Sequence, residues 1–219
     1  MRYFIVSDIH SFYTEFRKAI YKAGFRLNNP EHKLVILGDL FDRGKESVEL
    51  FRFLKRNDNK IVYVCGNHEE LFLELTDKPF VQTHDFTNGT VSTFLQFAGT
   101  GDITLPMLQS NIKKQLVYRL IKRIVSGPRS IEIGNYILCH STPFDTWGNP
   151  YQQNRIQGKT IVFGHWDIHD GNKYTDGEIR DNIFYGDGLI GLDSGCYIKN
   201  NQIHKNKMGV FIIDDSKGN

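Results

Sequence analysis

The sequence predicts a mixed α/β fold in which two sheets pack face to face and helices flank them. In the first third of the chain, apolar runs of strand length alternate three times with segments of helical periodicity. In the second half, several short apolar runs separated by turn residues predict a strand-rich region. Alternating strands and helices form parallel sheets with right-handed crossovers. Two mixed sheets would bury this many strands, and we expect the 219 residues to form one domain, 1–219.

The N-terminal third predicts three strand–helix units. Each strand is an uninterrupted apolar run, and each helix carries apolar residues at helical spacing on one face. The elements expected in order are strand 3–7, helix 12–23, strand 33–37, helix 47–54, strand 60–64 and a helix that begins at 69. Consecutive parallel strands then end at one common edge of the sheet.

The middle of the chain loses the strand pattern. Residues 79–125 predict a helical insertion packed beside the site, with helices near 90–97 and 105–124. Beyond it, strands are expected at 129–133, 135–138, 160–163, 190–192, 196–199 and 209–213. Residues 167–188 are polar and rich in Gly, Asp and Asn, which predicts a long loop. Asn200-Asn201 predicts a hairpin turn.

Residues of the types that bind metals follow five of the predicted strands. The blocks are Asp8-Ile9-His10, Gly38-Asp39-Leu40-Phe41-Asp42-Arg43-Gly44, Gly66-Asn67-His68-Glu69, Cys139-His140-Ser141 and Gly164-His165. A strand that ends in Asp, Asn or His brings a polar group to one edge of a sheet, so five such strands can surround one site. Packing alone does not explain the pattern, because buried unpaired charges are expensive.

The donor types in these blocks predict a centre with two metal ions. Two divalent cations about 3.5–4 Å apart form a clamp for in-line phosphoryl displacement, and they need a bridging carboxylate. Asp39 is the natural bridge because it ends the strand beside the first one. Asp8 and His10 would serve one metal, and Asn67, His140 and His165 the other. Mixed carboxylate, amide and imidazole donors suit Mn, Fe or Zn, with Mn the first expectation.

These blocks resemble the metallophosphoesterase superfamily, which is also called calcineurin-like. The order of Asp-x-His, GDLFDRG, GNHE, CHS and FGH, with its Asp-Arg-Gly ending, looks like the phosphoprotein phosphatase branch. The likeness is expected to be closest to the compact protein phosphatase type of bacteriophage lambda, which fits a phage-like origin. It extends through Leu192-Asp193-Ser194-Gly195 to the terminal strand and so covers nearly the whole chain.

The resemblance implies a role for each matched residue. Asp8, His10 and Asp39 match the ligands of the first metal, and Asn67, His140 and His165 match those of the second. Arg43 matches the arginine that holds phosphate oxygens, where Asn67 also faces the substrate. His68 matches the general acid, and Asp42 the carboxylate that orients it. The implied mechanism is direct attack by a metal-bound hydroxide, without a phosphoenzyme.

Three positions depart from the family pattern. Ser11 stands where a glycine usually follows Asp-x-His, which is tolerable if its φ is not positive. The short segment between His140 and His165 lacks the stretch that usually carries a second phosphate-binding arginine, and Arg155 is the sole arginine left there. Trp166 replaces the commoner Thr or Ser after Gly-His and is expected to shape the substrate mouth.

Composition limits the classes of protein to which the chain can belong. The net charge is +2 and the basic residues are dispersed, which argues against a dedicated nucleic-acid surface. No apolar stretch approaches membrane-spanning length, and the N-terminal run is too short for a signal peptide. Three cysteines, an odd number, fit reduced thiols in a cytoplasmic protein.

Three functions are compatible with the motifs. The first is hydrolysis of phosphomonoesters, including phosphoserine and phosphothreonine in proteins, with a phosphorylated protein or a small phosphoester as substrate. The second is cleavage of a pyrophosphate bond, as in symmetrical diadenosine tetraphosphate hydrolysis, for which Trp147, Tyr151 and Trp166 could stack on adenine. The third is a non-catalytic scaffold of the same fold. Because no ligand and no acid histidine is lost, the scaffold is the weakest of the three.

Overall fold

Two sheets form the centre of the molecule: the first combines three strands from the N-terminal third of the chain with the last strand, and the second comes from the second half of the chain. The computed structural model describes residues 1–99, 103–200 and 202–215. The first sheet has the strand order β12-β1-β2-β3, from β1 (Arg2–Val6), β2 (His32–Leu37), β3 (Ile61–Val64) and the C-terminal β12 (Phe211–Asp214). Strands β1, β2 and β3 are parallel, and β12 pairs antiparallel with β1.

The second sheet is also mixed and has six strands in the order β4-β5-β6-β9-β8-β7. They are β4 (Ser130–Ile133), β5 (Tyr136–Cys139), β6 (Thr160–Phe163), β7 (Gly177–Arg180), β8 (Ile183–Gly186) and β9 (Leu189–Gly191). Strands β5, β6 and β9 are parallel, and the others pair antiparallel. A separate antiparallel pair, β10 (Cys196–Lys199) and β11 (Gln202–Lys205), follows β9.

Alternation along the strands explains how the two sheets pack. On β1, Ile5 points toward the second sheet and joins one apolar cluster with Leu138 and Val162. Its neighbours Phe4 and Val6 point to the opposite face and pack with the helices. Because both faces of the first sheet are covered, its strands are nearly continuous apolar runs. The predicted mixed α/β class with two sheets is confirmed.

In the described ranges of the chain, seven α-helices pack around this core, mostly against the first sheet. Three follow the strands of the first sheet: α1 (Tyr13–Lys22), α2 (Ser47–Arg56) and α3 (Asn67–Asp77). Four lie in the stretch of the predicted insertion: α4 (Thr83–Thr87), α5 (Thr90–Ala98), α6 (Leu105–Lys113) and α7 (Leu116–Val125). None of the helices in the described residues has the length and apolar character needed to cross a bilayer.

The structure corrects two sequence-based boundaries. The single helix expected at 105–124 is two helices, because the chain is extended at Gln115 (φ −87°, ψ 157°), which caps α7. The long loop expected at 167–188 is wrong, since it holds a short 3₁₀ helix (Ile168–Lys173) and the hairpin β7–β8. The turn of that hairpin is Asp181-Asn182, with both residues left-handed (φ 51° and 61°), a turn for which glycine is the stronger signal.

The predicted hairpin turn at Asn200-Asn201 is only partly visible. Asn200 is left-handed, with φ 51°, and Lys199 pairs with Gln202. Asn201 lies outside the described residues.

Candidate active site

The C-terminal ends of β1, β2 and β3 of the first sheet and of β5 and β6 of the second sheet meet at one place. The chain segments that leave β1, β2, β3, β5 and β6 at this place are called the ligand loops here, and they comprise residues 7–11, 38–44, 65–69, 139–141 and 164–165. Backbone hydrogen bonds tie them to one another: His10 N–H donates to the Asp39 carbonyl (2.9 Å), and Gly164 N–H donates to the His140 carbonyl (2.8 Å). Backbone hydrogen bonds therefore fix the positions of the ligand loops relative to one another, independently of their side chains.

The ligand loops have an unusual concentration of left-handed backbone. Seven of the ten non-glycine residues with positive φ in the described chain lie in them: Asp8, His10, Ser11, Asp39, Asp42, Arg43 and His165. Such conformations cost about 1–3 kcal/mol each and persist only where the surroundings enforce them. Asp8 and His10 follow β1, and along a straight strand their side chains would be parallel and well separated. The left-handed residues bend the chain sharply at this point. The tight turns aim Asp8 and His10 at one point.

His10 is oriented as a metal ligand would be. Its Nδ1 lies 3.1 Å from the Phe41 carbonyl, to which it donates, so its lone pair is on Nε2. That Nε2 is fully buried and has no hydrogen-bond partner in the described structure. It lies 3.6 Å from Oδ2 of Asp39 and 3.9 Å from Oδ1 of Asp8. Burial, together with the nearby Arg43, lowers the pKa of His10, so the ring is neutral.

A second group of donor atoms surrounds His140. Its Nδ1 donates to the Leu37 carbonyl (2.7 Å), which directs the Nε2 lone pair toward the site. Within reach of that Nε2 are Oδ1 of Asn67 (2.9 Å), Nδ1 of His165 (3.2 Å) and Oδ1 of Asp39 (3.3 Å). Burial, and then the proximity of His140, lower the pKa of His165 to about 4, so its imidazole is neutral at pH 7.

Asp39 connects the two groups. Its Oδ2 faces His10 and its Oδ1 faces His140, so one carboxylate reaches both sides of the site. Two sets of residues whose donor atoms lie within 4.8 Å of one another share it: His10, Asp39 and His68, and Asp39, His140 and His165. This is the geometry expected of a bridging ligand.

The arrangement fits a pair of divalent cations. Several of the converging atoms carry lone pairs that can bind a cation. Nε2 of His10 is one of them, and a buried lone pair without a partner costs free energy unless a cation binds it. Asp8 supports the same conclusion. Burial, and then the negative charge of Asp193, raise the pKa of Asp8 to about 7, and an adjacent cation stabilises such a carboxyl in its ionised form.

His68 and Asp42 form a buried dyad beside these atoms. Nδ1 of His68 donates to Oδ2 of Asp42 at 2.7 Å. Two hydroxyls from α5 also donate to this carboxylate, Thr90 at 2.8 Å and Thr93 at 2.7 Å. Burial alone would lower the pKa of His68, but the charges of Asp39 and Asp42 outweigh it and raise the pKa to about 9. The imidazole therefore holds a proton at neutral pH, as a general acid must.

Arg43 completes the cluster. Its Nη2 lies 3.5 Å from Nε2 of His68, so the guanidinium borders the same space. The sharp turn that carries Arg43 requires Gly44, because a Cβ at Gly44 would come within 2.4 Å of the His10 carbonyl oxygen. The Asp-Arg-Gly sequence thus joins a carboxylate, a guanidinium and a close backbone contact in one turn.

Comparison with known proteins agrees with this geometry. The family model described as calcineurin-like phosphoesterase matches residues 1–189. The chain belongs to this family. The asymmetrical bis(5'-nucleosyl)-tetraphosphatase PrpE of Bacillus subtilis is 40% identical over 239 aligned residues, covering 91% of this chain and 88% of that protein. A symmetrical bis(5'-nucleosyl)-tetraphosphatase of Buchnera aphidicola is 36% identical over 176 residues, covering 80% of this chain but 50% of its own length.

A solved structure supports the fold. A crystal structure provisionally described as a diadenosine tetraphosphatase aligns with a TM-score of 0.52 at 21% identity, covering 89% of this chain and 84% of the other. The superfamily assignment from the motifs is confirmed. The expected closeness to the lambda-type protein phosphatase is not supported, since the relatives above are named as nucleosyl tetraphosphatases.

His68 occupies a position that two roles could explain in this phosphoesterase. Its Nε2 lies 3.8 Å from Oδ2 of Asp39, as near as Asp8 lies to His10, so distance alone permits a ligand role. The bond to Asp42 and the cationic neighbour Arg43 favour the acid role instead, because both suit a ring that holds and releases a proton. The acid role stays a prediction.

Arg155 is not brought to the site. Its guanidinium donates to the carbonyls of Asp187 (2.6 Å) and Gln153 (2.9 Å). Asp187 lies just before the start of β9, whereas His165 lies just after the end of β6. Because β6 and β9 are parallel, these two residues are at opposite ends of the strands. Arg155 therefore lies at the opposite edge of the second sheet, and the expectation that it replaces a second phosphate-binding arginine is wrong.

Ser11 and Tyr151 also differ from expectation. Ser11 has φ 58°, so the expectation that φ is not positive at this position is wrong. Its hydroxyl is hydrogen-bonded to that of Ser47 at 2.8 Å. Tyr151 is 3% exposed and packs edge-on against Phe163 and Phe184, so it cannot stack on a substrate. Among the three aromatic candidates, Trp147 alone is largely exposed, at 56%.

Three residues, Glu69, Asp193 and Lys205, support the site through long-range contacts that the sequence did not predict. Glu69 accepts hydrogen bonds from the backbone N–H groups of Asp39, Leu40 and Gly66 (2.9 Å each), so it fixes the loop that carries the bridging carboxylate. A capping box at the start of α3 would have predicted one of these bonds. Asp193 bonds the Gly195 N–H, as a turn residue does, and also pairs with the buried Lys205 (2.9 Å). No local pattern signals that long-range pair.

Proposed function

We propose that this chain is a metal-dependent hydrolase of dinucleoside tetraphosphates. The observation that carries the substrate assignment is the 40% identity to an asymmetrical bis(5'-nucleosyl)-tetraphosphatase, which extends over 88% of that relative. The reaction class is supported by the geometry around Asp39, where two groups of ligand atoms share one carboxylate. This was the second of the three functions compatible with the motifs, and phosphoprotein hydrolysis has no comparable support.

The proposed ligands are the six residues of the ligand loops. Asp8, His10 and Asp39 hold one cation, and Asn67, His140 and His165 hold the other together with Asp39. Mn²⁺ is the first choice, with Fe and Zn as alternatives, because the donors are carboxylate, amide and imidazole groups without a thiolate. When bound, such a pair neutralises phosphate charge and lowers the pKa of a coordinated water.

The chain's own groups supply the remaining functions. Arg43 binds non-bridging phosphate oxygens, for which the planar guanidinium fork is suited. His68 donates its Nε2 proton to the oxygen of the leaving nucleotide. Asp42 holds the ring of His68 in the orientation that leaves Nε2 facing the site. Thr90 and Thr93 hold Asp42 in turn, so three hydrogen bonds to one carboxylate fix the acid.

A substrate panel tests the proposal. The purified protein, supplied with Mn²⁺, is compared on diadenosine tetraphosphate and on a phosphoserine peptide at equal concentrations. We expect kcat/KM to be higher for the dinucleotide. Preference for the phosphopeptide would overturn the substrate assignment in favour of a protein phosphatase. Less than one metal per chain after supplementation, with no turnover of either compound, would favour a scaffold.

The products distinguish two modes of cleavage. Asymmetrical hydrolysis of diadenosine tetraphosphate yields ATP and AMP, whereas symmetrical hydrolysis yields two molecules of ADP. We propose the asymmetrical mode, because the chain spans most of the asymmetrical relative but about half or less of the symmetrical ones. Separation of the nucleotides by ion-exchange chromatography decides this, and two equivalents of ADP would reverse it.

A further inference from the structure

An exposed tryptophan stands next to the metal-ligand residues on a loop that is firmly held. Residues 142–148, called the mouth loop here, follow His140 and Ser141 in the chain. The indole of Trp147 lies 6.2 Å, centroid to centroid, from the imidazole of His165, at an interplanar angle of 80°. It is 56% exposed, although Trp is a residue type that usually buries most of its surface.

Side chains hold the backbone on both sides of this indole. Oδ1 of Asp145 accepts hydrogen bonds from the N–H groups of Trp147 and Gly148, both at 2.6 Å. Oγ1 of Thr142 accepts from the Asp145 N–H at 3.1 Å. Thr146 is 2% exposed and donates to Glu70 at 2.6 Å, which attaches the loop to α3. The backbone that carries the ring is therefore held in place, which lowers the entropy cost of ordering the loop when a ligand binds.

The composition of the mouth loop indicates which part of a substrate it meets. It contains neither lysine nor arginine, so it offers no cation to a phosphate chain. Its one carboxylate, Asp145, is engaged with backbone N–H groups. What remains exposed are two aromatic rings, Phe144 (83%) and Trp147 (56%), and it is Trp147 whose ring lies against His165. Such a face binds flat heteroaromatic rings by stacking.

We propose that Trp147 is a specificity residue that stacks on one nucleobase of the substrate while the attached phosphate chain lies at the metal centre. The proposal rests on the proposed function for the identity of the substrate and adds the group that is recognised. Trp147 is not a catalytic residue in this view, because it contacts the base and not the reacting atoms. Its contribution is to distinguish nucleoside polyphosphates from polyphosphates without a base.

A ratio of two activities tests the proposal in the Mn²⁺-loaded enzyme. For each variant, kcat/KM is measured on diadenosine tetraphosphate and on inorganic tetrapolyphosphate, which has no base. In Trp147→Ala we expect the ratio to fall roughly tenfold through a higher KM for the dinucleotide, the size expected for loss of one base–aromatic stack. Trp147→Phe should recover part of the ratio.

Phe80→Ala is the matched control, because Phe80 is also an exposed aromatic (61%) but follows the C-terminal end of α3, whose N-terminal end carries Asn67. Its ratio should equal that of the wild type. An unchanged ratio in Trp147→Ala would overturn the proposal even if the dinucleotide is hydrolysed as expected.

Fluorescence provides a readout that does not depend on turnover. The chain has two tryptophans, Trp147 and Trp166, and stacking of a base on Trp147 should quench its emission when ATP is titrated. The quench should persist in Trp166→Phe and disappear in Trp147→Phe. Quenching with this pattern would support the base contact even if the dinucleotide proved not to be a substrate. A quench that persists in Trp147→Phe would overturn it.

Discussion

The ligand loops and the mouth loop are held in place by different means. In the ligand loops the backbone itself is forced into left-handed conformations, and the functional side chains are buried, with Asp8, His10 and Asp39 at 2% exposure or less. In the mouth loop, the side chains of Thr142 and Asp145 bond to neighbouring backbone groups and leave Trp147 exposed. Reaction chemistry needs atoms fixed to a fraction of an ångström, whereas recognition of a flat ring needs a surface in roughly the right place.

This difference has a functional consequence. A change in the ligand loops should reduce kcat on every substrate, because the same cations and the same proton donor serve all of them. A change in the mouth loop should alter the ratio between a substrate that carries a base and inorganic tetrapolyphosphate, which carries none. The variants that follow test the first half of this comparison, and the tetrapolyphosphate ratio tests the second.

The largest effect is expected for Asp39→Asn. The change removes the charge that faces both groups of ligand atoms, so both metals should be lost and turnover should fall to the assay background. Removing a residue that only hydrogen-bonds to a metal ligand costs about 10–100-fold in metal affinity, and removing a bridging ligand should cost more. Metal content by atomic absorption and Mn²⁺ binding by calorimetry measure the effect.

Asp181→Asn is the control for Asp39→Asn, because Asp181 is also a left-handed aspartate (φ 51°, against 54° for Asp39) but lies in the β7–β8 turn. It should bind metal as the wild type does. If Asp39→Asn kept two metals per chain and a wild-type melting temperature, the bridging role would be wrong.

The next effect is expected for His68→Asn. Loss of a general acid lowers kcat by about 10²–10⁴-fold for a poor leaving group. The loss should be larger for an alkyl phosphoester than for diadenosine tetraphosphate, because a nucleotide phosphate leaves readily without a proton. Metal content should stay unchanged. A loss of metal in this variant would identify His68 as a ligand. The control is His84→Asn, which removes the imidazole of an exposed histidine in α4.

The sequence predicted the ligand loops well because their requirements are local. Each strand is a continuous apolar run, and its end is marked by a residue such as Asp8, Asp39 or His140 that has no place in a core. Parallel pairing brings these ends together within each sheet, and the packing of the two sheets brings both sets to one place. The six proposed ligands could therefore be named before the fold was known.

The remaining features depend on contacts between distant residues, which no local pattern marks. The support of Asp42 by Thr93 joins residues 51 positions apart, and Thr93 looks like any polar residue of a helix. The ion pair of Lys205 with Asp193 is invisible for the same reason. Arg155 was the opposite error, because it lies in the right segment of the chain but at the wrong edge of the sheet.

A moderate effect is expected for Thr93→Val. The hydroxyl of Thr93 donates to Oδ1 of Asp42 and accepts from the Asp42 N–H (3.0 Å). Valine leaves that buried N–H unpaired, at a cost of about 1–3 kcal/mol in the free energy of unfolding. It also loosens the carboxylate that orients His68, so kcat should fall several-fold while KM is kept, and Thr93→Ser should restore both.

Urea unfolding and steady-state kinetics of Thr93→Val test this, with Thr87→Val, a surface position of α4, as the control. Loss of stability without any loss of kcat would mean that Thr93 supports only the fold and does not position the acid.

The smallest effect concerns Ser11, where the backbone strain of the ligand loops can be isolated. A left-handed non-glycine residue costs about 1–2 kcal/mol. Ser11→Gly relieves that strain but loses the hydrogen bond to Ser47, worth about 1 kcal/mol, and makes the unfolded chain more flexible. Its free energy of unfolding should therefore stay within about 1 kcal/mol of the wild type. Ser11→Ala loses the same bond and keeps the strain, so urea unfolding should show it to be the less stable of the two variants. Equal stability of the two would mean that the strain at residue 11 is no larger than the entropy cost of glycine, about 0.5–1 kcal/mol, and the expectation of about 1–2 kcal/mol of strain at this position would be wrong.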